Sequence, residues 1–463
     1  MVSIRIALLG LACALRMEAA PVVAGTDHAC AILDDGHTTC WGRNSNGQLG
    51  LGLPGDVLPE MGDGLKTVNL GTGRAAKMLA LSRYHTCAVL DDDSVKCWGK
   101  GALLGLGVLD SESIGDSEDD MGDNLATVDL GTGRHAKLIT AGDRSSCALL
   151  DDDTLKCWGM KGPLLGQGHA NSIGDAGASS MPMGDALPAI DLGTGRTAKF
   201  SVVSNHQAYA LLDDDSLKNW GGQVGDNPDE MGDNLPTFNL GPGRTAKFLS
   251  TGWGLCAILD DDSLRCWGNY ALTGIGGDAN PAVDLGTGRT AKSVSIGTGS
   301  SSCAILDDDS VKCWGGMDNG ALGLGVTYGD SSERIVGDKP GEMGDNLPAV
   351  DLGAGRTAKY IAVGSRYACA ALDDDSLKCW GKGNLGQTGY GVGAADIGLL
   401  PEDMGDNLPA LDFGNGRKLK GAQATSAATT STTTMTATTS TNTATTSTTT
   451  ATTMTFTMTA TTS

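Results

Sequence analysis

Short apolar segments alternate with glycine- and aspartate-rich segments through most of the chain. In one stretch the apolar segments are Lys292–Ile296, Cys303–Leu306, Val311–Trp314 and Ala349–Leu352. Runs this short, rich in Val, Ile, Leu and Trp and bounded by turn-forming residues, predict β-strands. The pattern therefore predicts an all-β chain with four short strands in each structural unit.

This unit is repeated. The segment Cys30–Gly42 (CAILDDGHTTCWG) returns six more times, at spacings of 47 to 66 residues, and the copy Tyr209–Gly221 lacks both cysteines. Each unit also contains Gly-x-Gly-Arg, and all but the fifth contain Met-Gly-Asp. Repeats of this length with four strands each are typical of propellers. We predict a seven-bladed β-propeller of four-stranded antiparallel blades over residues 21–423.

The first and last segments of this region are both predicted to form the first strand of the same blade. Pro21–Gly25 and Lys418–Ala422 both resemble the first strand of a unit. A propeller commonly closes by pairing its chain ends within one blade, which removes exposed sheet edges. We expect only one segment to fill the position, and we predict that it is Val22–Gly25.

Paired cysteines ten residues apart are the clearest chemical feature. In an antiparallel hairpin with Cys87 opposite Cys97, Val89 faces Val95, and opposed Cα atoms lie within disulfide range. The copy without cysteines has lost both together, as expected of bonded partners. We predict six disulfides: Cys30–Cys40, Cys87–Cys97, Cys147–Cys157, Cys256–Cys266, Cys303–Cys313 and Cys369–Cys379. The thirteenth cysteine, Cys13, is not part of a pair. Free buried thiols in a reducing cytosol are the main alternative, and zinc is disfavoured because no second ligand pair accompanies the thiols.

Two repeated features allow a structural or a ligand-binding interpretation. The aspartates of each hairpin turn could bind calcium, but the alternating ligands of a calcium loop are absent, and aspartate is an ordinary turn former. The tryptophan after each second cysteine could stack on a ligand, but its fixed place favours packing between blades. Trp253 lies outside this position and is a weak candidate for a ligand contact.

Composition and the remaining polar residues narrow the functional classes. The formal charge of −22 argues against a nucleic-acid partner, and solubility alone would also explain it. The six histidines share no fixed offset to a carboxylate or nucleophile. We therefore predict no enzymatic activity, no catalytic residues, no metal site and no cofactor.

Both termini differ from the repeated region. Arg5 and the apolar segment Ile6–Leu15 predict a secretory signal segment over 1–20, with an apolar strand as the alternative. Residues 424–463 are almost entirely Thr, Ser and Ala, which predicts a disordered tail whose hydroxyls are possible sites of O-linked sugars. We expect a secreted or secretory-lumen protein without stable membrane insertion, with a cytoplasmic location as the alternative.

The repeats resemble the regulator of chromosome condensation repeat family. The first unit carries most of the similarity, in Gly25, His28, Gly36, Trp41-Gly42, Asn44, Gly47-Gln48-Leu49-Gly50 and Gly52. The resemblance implies a seven-bladed propeller, but members differ in function, from guanine-nucleotide exchange to chromatin binding and enzyme inhibition. The paired cysteines, the aspartate-rich turns and the acidic charge depart from the nuclear members.

We predict from these observations a non-catalytic binding or scaffold protein. Its partner would be a protein or a glycan, held by loops between blades such as Arg43–Glu60 and Gly316–Glu342, because variable loops on a rigid scaffold commonly bind ligands. The alternative is an intracellular regulatory protein with guanine-nucleotide exchange activity on a small GTPase, which rests on the family resemblance alone.

Overall fold

A computed structural model describes residues 20–55, 61–160, 162–169, 171–177, 180–222, 224–225, 227–268, 282–325 and 335–421. The predicted signal segment lies outside these residues except for Ala20, and so do Cys13 and the predicted tail. The two loops proposed from the sequence to bind a partner are described in part, without residues 56–60 and 326–334.

The described residues form seven antiparallel sheets, one for each repeat, which we call blades 1 to 7. The strands are β1 Val22–Ala24, β2 His28–Ile32 and β3 Thr38–Gly42 in blade 1; β4 Ala76–Leu81, β5 His85–Leu90, β6 Val95–Lys100 and β7 Ser113–Ile114 in blade 2; β8 Ala136–Gly142, β9 Ser145–Leu150 and β10 Leu155–Gly159 in blade 3; β11 Ala198–Val203, β12 Gln207–Leu212 and β13 Leu217–Gly221 in blade 4; β14 Ala246–Thr251, β15 Leu255–Leu259 and β16 Leu264–Trp267 in blade 5; β17 Ala291–Ile296, β18 Ser301–Leu306, β19 Val311–Gly316 and β20 Ile335–Val336 in blade 6; and β21 Ala358–Val363, β22 Tyr367–Leu372 and β23 Leu377–Gly381 in blade 7. The first three strands of each blade are its inner, middle and outer strands.

The blades close into a ring. Each inner strand contacts the inner strands of the two neighbouring blades, including β1 against β21. Eleven single-turn 3-10 helices lie in the described loops, and none is long and apolar enough to cross a membrane. The 3-10 helices are Gly101–Leu103, Glu118–Asp120, Gly122–Asn124, Pro163–Leu165, Gly184–Ala186, Pro228–Glu230, Gly232–Asn234, Asp318–Gly320, Gly344–Asn346, Pro401–Asp403 and Gly405–Asn407. The predicted all-β propeller is confirmed.

The hairpin register agrees with the sequence prediction. Cys87 is opposite Cys97 and Val89 is opposite Val95, and the other cysteine pairs are aligned in the same way. The structure contains a disulfide at each of the six pairs, with Cα–Cα distances of 4.0 to 4.1 Å. In blade 4 Tyr209 is opposite Asn219, at the place of the missing disulfide. Each bond therefore joins the middle and outer strands of one blade.

The fourth strand is shorter than predicted and lies elsewhere. Among the described residues only blades 2 and 6 have one, and in blade 6 it is Ile335–Val336, paired with the end of β19. The predicted strand Ala349–Leu352 is wrong, because its only backbone bond to β19 runs from the Val350 N–H to the Val311 carbonyl (2.8 Å), which is not a ladder. Pro348 precedes this segment and has no N–H with which to extend the pairing.

The first and last segments of the propeller region share the inner position of blade 1, so the expectation that only one of them could fill it was wrong. Val22–Ala24 pairs with β2 in the half of the blade nearest the inner turn. Leu419 bridges Leu33 in the other half, and the Lys420 N–H donates to the Ile32 carbonyl at 2.9 Å. Inner strands elsewhere are six or seven residues long, whereas β1 has three. The C-terminal segment supplies the missing pairs and seals the ring.

The repeated tryptophans pack between blades, as the sequence predicted. Six of the seven are at most 1% exposed, and Trp267 of blade 5 is half-buried. The Trp98 indole N–H donates to the Gln48 carbonyl in the loop after blade 1 (3.0 Å), and Trp41 donates to Gln387 across the ring closure (3.1 Å). Each such ring therefore contributes to the hydrophobic contact between its blade and the preceding one.

Candidate functional site

Each blade presents two different turns at opposite ends of its middle strand. The turn between the middle and outer strands contains the aspartates, and we call the ring of these turns the tip face. The turn between the inner and middle strands lies at the other end, and we call that ring the mouth face. Successive antiparallel turns alternate between the two ends of a sheet, so the tip and mouth faces are opposite sides of the propeller.

The tip face repeats one ion-pair arrangement. In blade 4, Arg196 contacts Asp213 at 3.0 Å and Asp214 at 3.1 Å, and Lys199 contacts Asp215 at 2.6 Å. The six sets are Arg74 and Lys77 with Asp91–Asp93, Arg134 and Lys137 with Asp151–Asp153, Arg196 and Lys199 with Asp213–Asp215, Arg244 and Lys247 with Asp260–Asp262, Arg289 and Lys292 with Asp307–Asp309, and Arg356 and Lys359 with Asp373–Asp375. The tip aspartates thus have partners within the chain.

The aspartates also shape the turn itself. Asp214 accepts hydrogen bonds from the Ser216 hydroxyl (2.6 Å) and N–H (3.1 Å), and the hydroxyl bond, with a smaller contribution from Arg196, lowers the pKa of Asp214. Asp215 has a φ of 66°, in the left-handed region, and Gly36 occupies the same position in blade 1 with a φ of 85°. Among the described residues no three His, Cys, Asp or Glu side chains are close enough to share a metal ion.

The other two repeated motifs meet each other. The N–H and hydroxyl of Thr72, in Gly-x-Gly-Arg, donate to Asp123 of the next Met-Gly-Asp at 2.8 and 2.6 Å. The buried ammonium group of Lys96 donates to the carbonyls of Leu70 and Gly122 at 3.0 and 2.7 Å. All three repeated signatures are therefore used to hold the scaffold together.

The mouth face begins with a ring of small residues, the neck ring. Every blade has glycine or serine where its inner turn starts: Gly25, Ser82, Gly142, Ser204, Gly252, Gly297 and Gly364. A Cβ atom on Gly142 would lie 2.4 Å from the Ser204 carbonyl oxygen, and one on Gly297 would lie 1.9 Å from that of Gly364. The backbones of adjacent blades meet here, so larger side chains are excluded from most of this ring.

The next residue differs from blade to blade. These seven positions, the mouth ring, hold Thr26, Arg83, Asp143, Asn205, Trp253, Thr298 and Ser365. All seven line one open cavity of about 710 Å³ at the mouth of the propeller axis. Ser300, Asp318 and Arg366 also line it. The mouth thus combines cationic, anionic, amide, hydroxyl and aromatic groups, although the blades that carry them are otherwise built from the same repeated sequence.

Charges in the mouth are unevenly distributed. Burial raises the pKa of the Asp143 carboxyl, while the guanidinium and backbone of Arg83, and His206 more weakly, act in the opposite direction. Arg83 also lies over the ring of Tyr84, 5.2 Å from its centroid. Arg366 is exposed and forms no ion pair with any other described residue. Arg366 therefore offers the mouth a cation that is not paired with any carboxylate in the described part of the chain.

The sequence-based candidates fall in different places. Trp253 lies in the mouth ring with 51% of its surface exposed. The loop after Gly316 contributes Gly316, Asp318 and Ile335 to the cavity wall. In contrast, the described part of the loop after Arg43 packs between blades, and Leu49 is fully buried.

Sequence reasoning missed Arg83, Asp143, Asn205 and Arg366 as members of the site. Comparing the seven copies with one another at the residue after the neck ring would have found the first three, because that position varies where its neighbours repeat. Arg366 lies one residue further on, in a turn whose second residue also varies. Only the structure shows that all these turns converge on one cavity.

Comparisons with known proteins agree with this architecture. A family model described as the regulator of chromosome condensation (RCC1) repeat matches residues 22–48 and 358–387. A stretch of 89 residues, 19% of this chain, is 36% identical to the ultraviolet-B receptor UVR8 of Arabidopsis thaliana and spans 19% of that receptor.

Two solved structures share the fold. Prp20p from Saccharomyces cerevisiae superposes with a TM-score of 0.57 and 17% identity, over 82% of this chain and 86% of that one. Human WBSCR16 superposes with a TM-score of 0.54 and 16% identity, over 74% and 84% of the two chains. These matches show that two segments of the chain are similar to the RCC1 repeat and that its seven blades share the propeller fold of these structures.

Proposed function

We propose that this chain is a non-catalytic binding propeller that engages a protein or a glycan through its mouth face. One observation carries the proposal: six of the seven copies repeat the same tip-face ion pairs, whereas the residue at the mouth ring varies among the blades. The repeated blades share the same structural constraints, which do not explain why this one position holds six different residue types. Recognition of an asymmetric partner requires such differences, and functional residues commonly lie on turns held by a rigid scaffold.

The proposal includes an extracellular or secretory-lumen location. Disulfides form and persist in oxidising compartments and are rare in the cytosol, and six of the seven hairpins contain one. Each closes a loop of ten residues, for which a contribution to the free energy of unfolding of about 2–3 kcal/mol is typical.

A pair of matched surface variants tests the proposal. The wild-type protein is screened against immobilised glycans and extracellular proteins, and each hit is measured again with Trp253→Ala and Arg366→Ala on the mouth face. Lys199→Ala and Arg196→Ala on the tip face are the controls, because they remove exposed ion pairs of a repeated set. Binding lost in the mouth variants and kept in the controls supports the proposal. Binding lost only in the tip variants contradicts it.

The second candidate function is guanine-nucleotide exchange on a small GTPase. Prp20p, whose structure was described together with its binding to Gsp1p and histones, has the same fold at 17% identity. A nucleotide-release assay with a panel of small GTPases separates the two functions. Release accelerated by this chain and lost in a mouth or tip variant would favour exchange, and an unchanged release rate favours the binding propeller.

A further inference from the structure

Two arginines line the mouth on either side of blade 1. The Ser365 N–H donates to the Thr26 carbonyl at 3.1 Å, and the Thr26 N–H donates to the Ser82 carbonyl at 3.3 Å. These bonds tie the inner turns of blades 7, 1 and 2 together. Arg366 follows Ser365 and Arg83 follows Ser82, so the two arginines lie in the turns on either side of the Thr26 turn, and both line the cavity.

This pair of cations is suited to a carboxylate. Guanidinium groups bind carboxylates through two parallel hydrogen bonds, and such bonds are stronger in a concave site than on a flat surface. Arg83 has Asp143 as a neighbour, whereas Arg366 has no ion pair with the described residues. A ligand carboxylate would therefore bind closer to Arg366, which has no ion pair with the described residues, than to Arg83, whose charge already acts on Asp143.

The rest of the wall is mainly polar, with the Asp318 carboxylate, the aliphatic Ile335 and a single aromatic surface. Asn205, Thr298 and Ser300 present amide and hydroxyl groups, and Trp253 exposes 51% of its surface. A pyranose ring has hydroxyls on its edge and an apolar face that can stack on an indole, whose ring is apolar and whose N–H is polar. The volume of about 710 Å³ lies within the usual range for small-ligand sites.

A protein partner would need more apolar surface than the mouth provides. Protein interfaces are centred on several aromatic and aliphatic anchors. Four large apolar residues are exposed in the described part of the chain, and of these only Trp253 lines the mouth. The hydroxyl-rich wall with one indole therefore favours a saccharide over a protein segment.

We infer that the mouth binds an acidic saccharide, with its carboxylate between Arg83 and Arg366 and a sugar ring on Trp253. The inference rests on the proposed function and specifies the ligand class for the same face. Uronic acids and sialic acids both supply a carboxylate on a pyranose ring, so the shared chemistry is a carboxylated sugar. The arms of the test separate these two sources.

Calorimetry with the full chain tests the inference. The probes are a galacturonic acid trimer, sialyllactose, the methyl ester of the trimer, and a glutamate-rich peptide of the same charge as the trimer. We expect at least one acidic saccharide to bind and the neutral matched sugar, the ester or plain lactose, to bind at least about tenfold more weakly. Which acidic saccharide binds identifies the source of the carboxylate.

The variants locate the site. Arg366→Ala and Arg83→Ala should each weaken binding of the acidic saccharide by about tenfold or more, while Trp253→Phe should retain part of the affinity. Arg196→Ala on the tip face should leave it unchanged, and the melting temperature of each variant shows that it is folded.

Three outcomes overturn the inference. They are equal binding of an acidic sugar and its neutral match, binding of the peptide without any acidic saccharide, and no binding of any probe. If the mouth variants still abolish binding of a protein found in the screen, the proposed binding face stands and only the ligand class is wrong.

Discussion

Two buried histidines make the stability of the propeller depend on pH in a defined window. His28 and His85 begin the middle strands of blades 1 and 2 and are fully buried. The pKa of both is lowered from 6.5 to about 3, mainly by burial, and in His28 the neighbouring His85 makes a smaller contribution. His85 is held by the hydroxyls of Ser82 and Ser146, each at 2.7 Å.

The sign follows from which state binds the proton. Below pH 6.5 the unfolded chain takes up protons at these positions, whereas the folded chain does not until the pH approaches 3, so acidification favours unfolding. Between pH 7.5 and pH 5 each histidine should lower the free energy of unfolding by about 2 kcal/mol, hence about 4 kcal/mol together. The stability they provide is complete above pH 6.5 and falls progressively as the pH drops toward 3.

Urea unfolding at both pH values measures this effect. Blade 4 has Gln207 at the equivalent position, so His28→Gln and His85→Gln are substitutions that the fold already accommodates elsewhere. Each should remove about half of the loss between the two pH values, and the double variant most of it. Gln207→Asn is the control and should leave the loss unchanged. The reasoning is refuted if the double variant loses as much stability on acidification as the wild type.

Two further predictions concern the scaffold, and denaturant midpoints measure both. Gly297→Ala should lower the free energy of unfolding by about 1–3 kcal/mol, because the added Cβ would lie 1.9 Å from the Gly364 carbonyl oxygen. Gly64→Ala is the control and should change it by less than about 1 kcal/mol, because no atom lies within 4 Å of the added Cβ. Equal effects of the two substitutions would mean that the neck ring is not tightly packed. Lys96→Met should cost about 1–3 kcal/mol because it removes the ammonium donor from the buried carbonyls of Leu70 and Gly122, of which only Gly122 keeps another donor, the Leu125 N–H. Lys77→Met, on an exposed ion pair, should cost less than about 1 kcal/mol, and a larger cost at Lys77 would contradict this ranking.

Repetition explains why the blade could be predicted from the sequence. Seven copies of one hairpin fix its register, because any shift by one residue would move Cys87 and Val89 to the other face of the strand. The tryptophan after the second cysteine has the same fixed place, so its packing role followed as well. Local patterns of this kind depend only on neighbours in the sequence and in the hairpin.

Features that depend on contacts between distant segments were not predictable in the same way. Leu419 completes blade 1 only because the ring brings it beside Leu33, and the sequence shows two similar segments without showing that they divide one position. Arg83 and Arg366 lie far apart in the chain and converge through blade 1. Trp253 was noticed because it breaks the repeat, and the same criterion applied to every turn residue would have identified most of the mouth ring.

Thiol mapping is the most direct test of the disulfide-stapled, extracellular propeller on which the proposed function depends. Protein from its native source is alkylated before disruption of the cells, unfolded without reductant, alkylated again, and analysed by mass spectrometry. The twelve cysteines of the six hairpins should remain unmodified until a reductant is added, and each should then be recovered with its partner ten residues away. Alkylation of these cysteines without reductant would contradict the extracellular assignment and favour the cytoplasmic regulator.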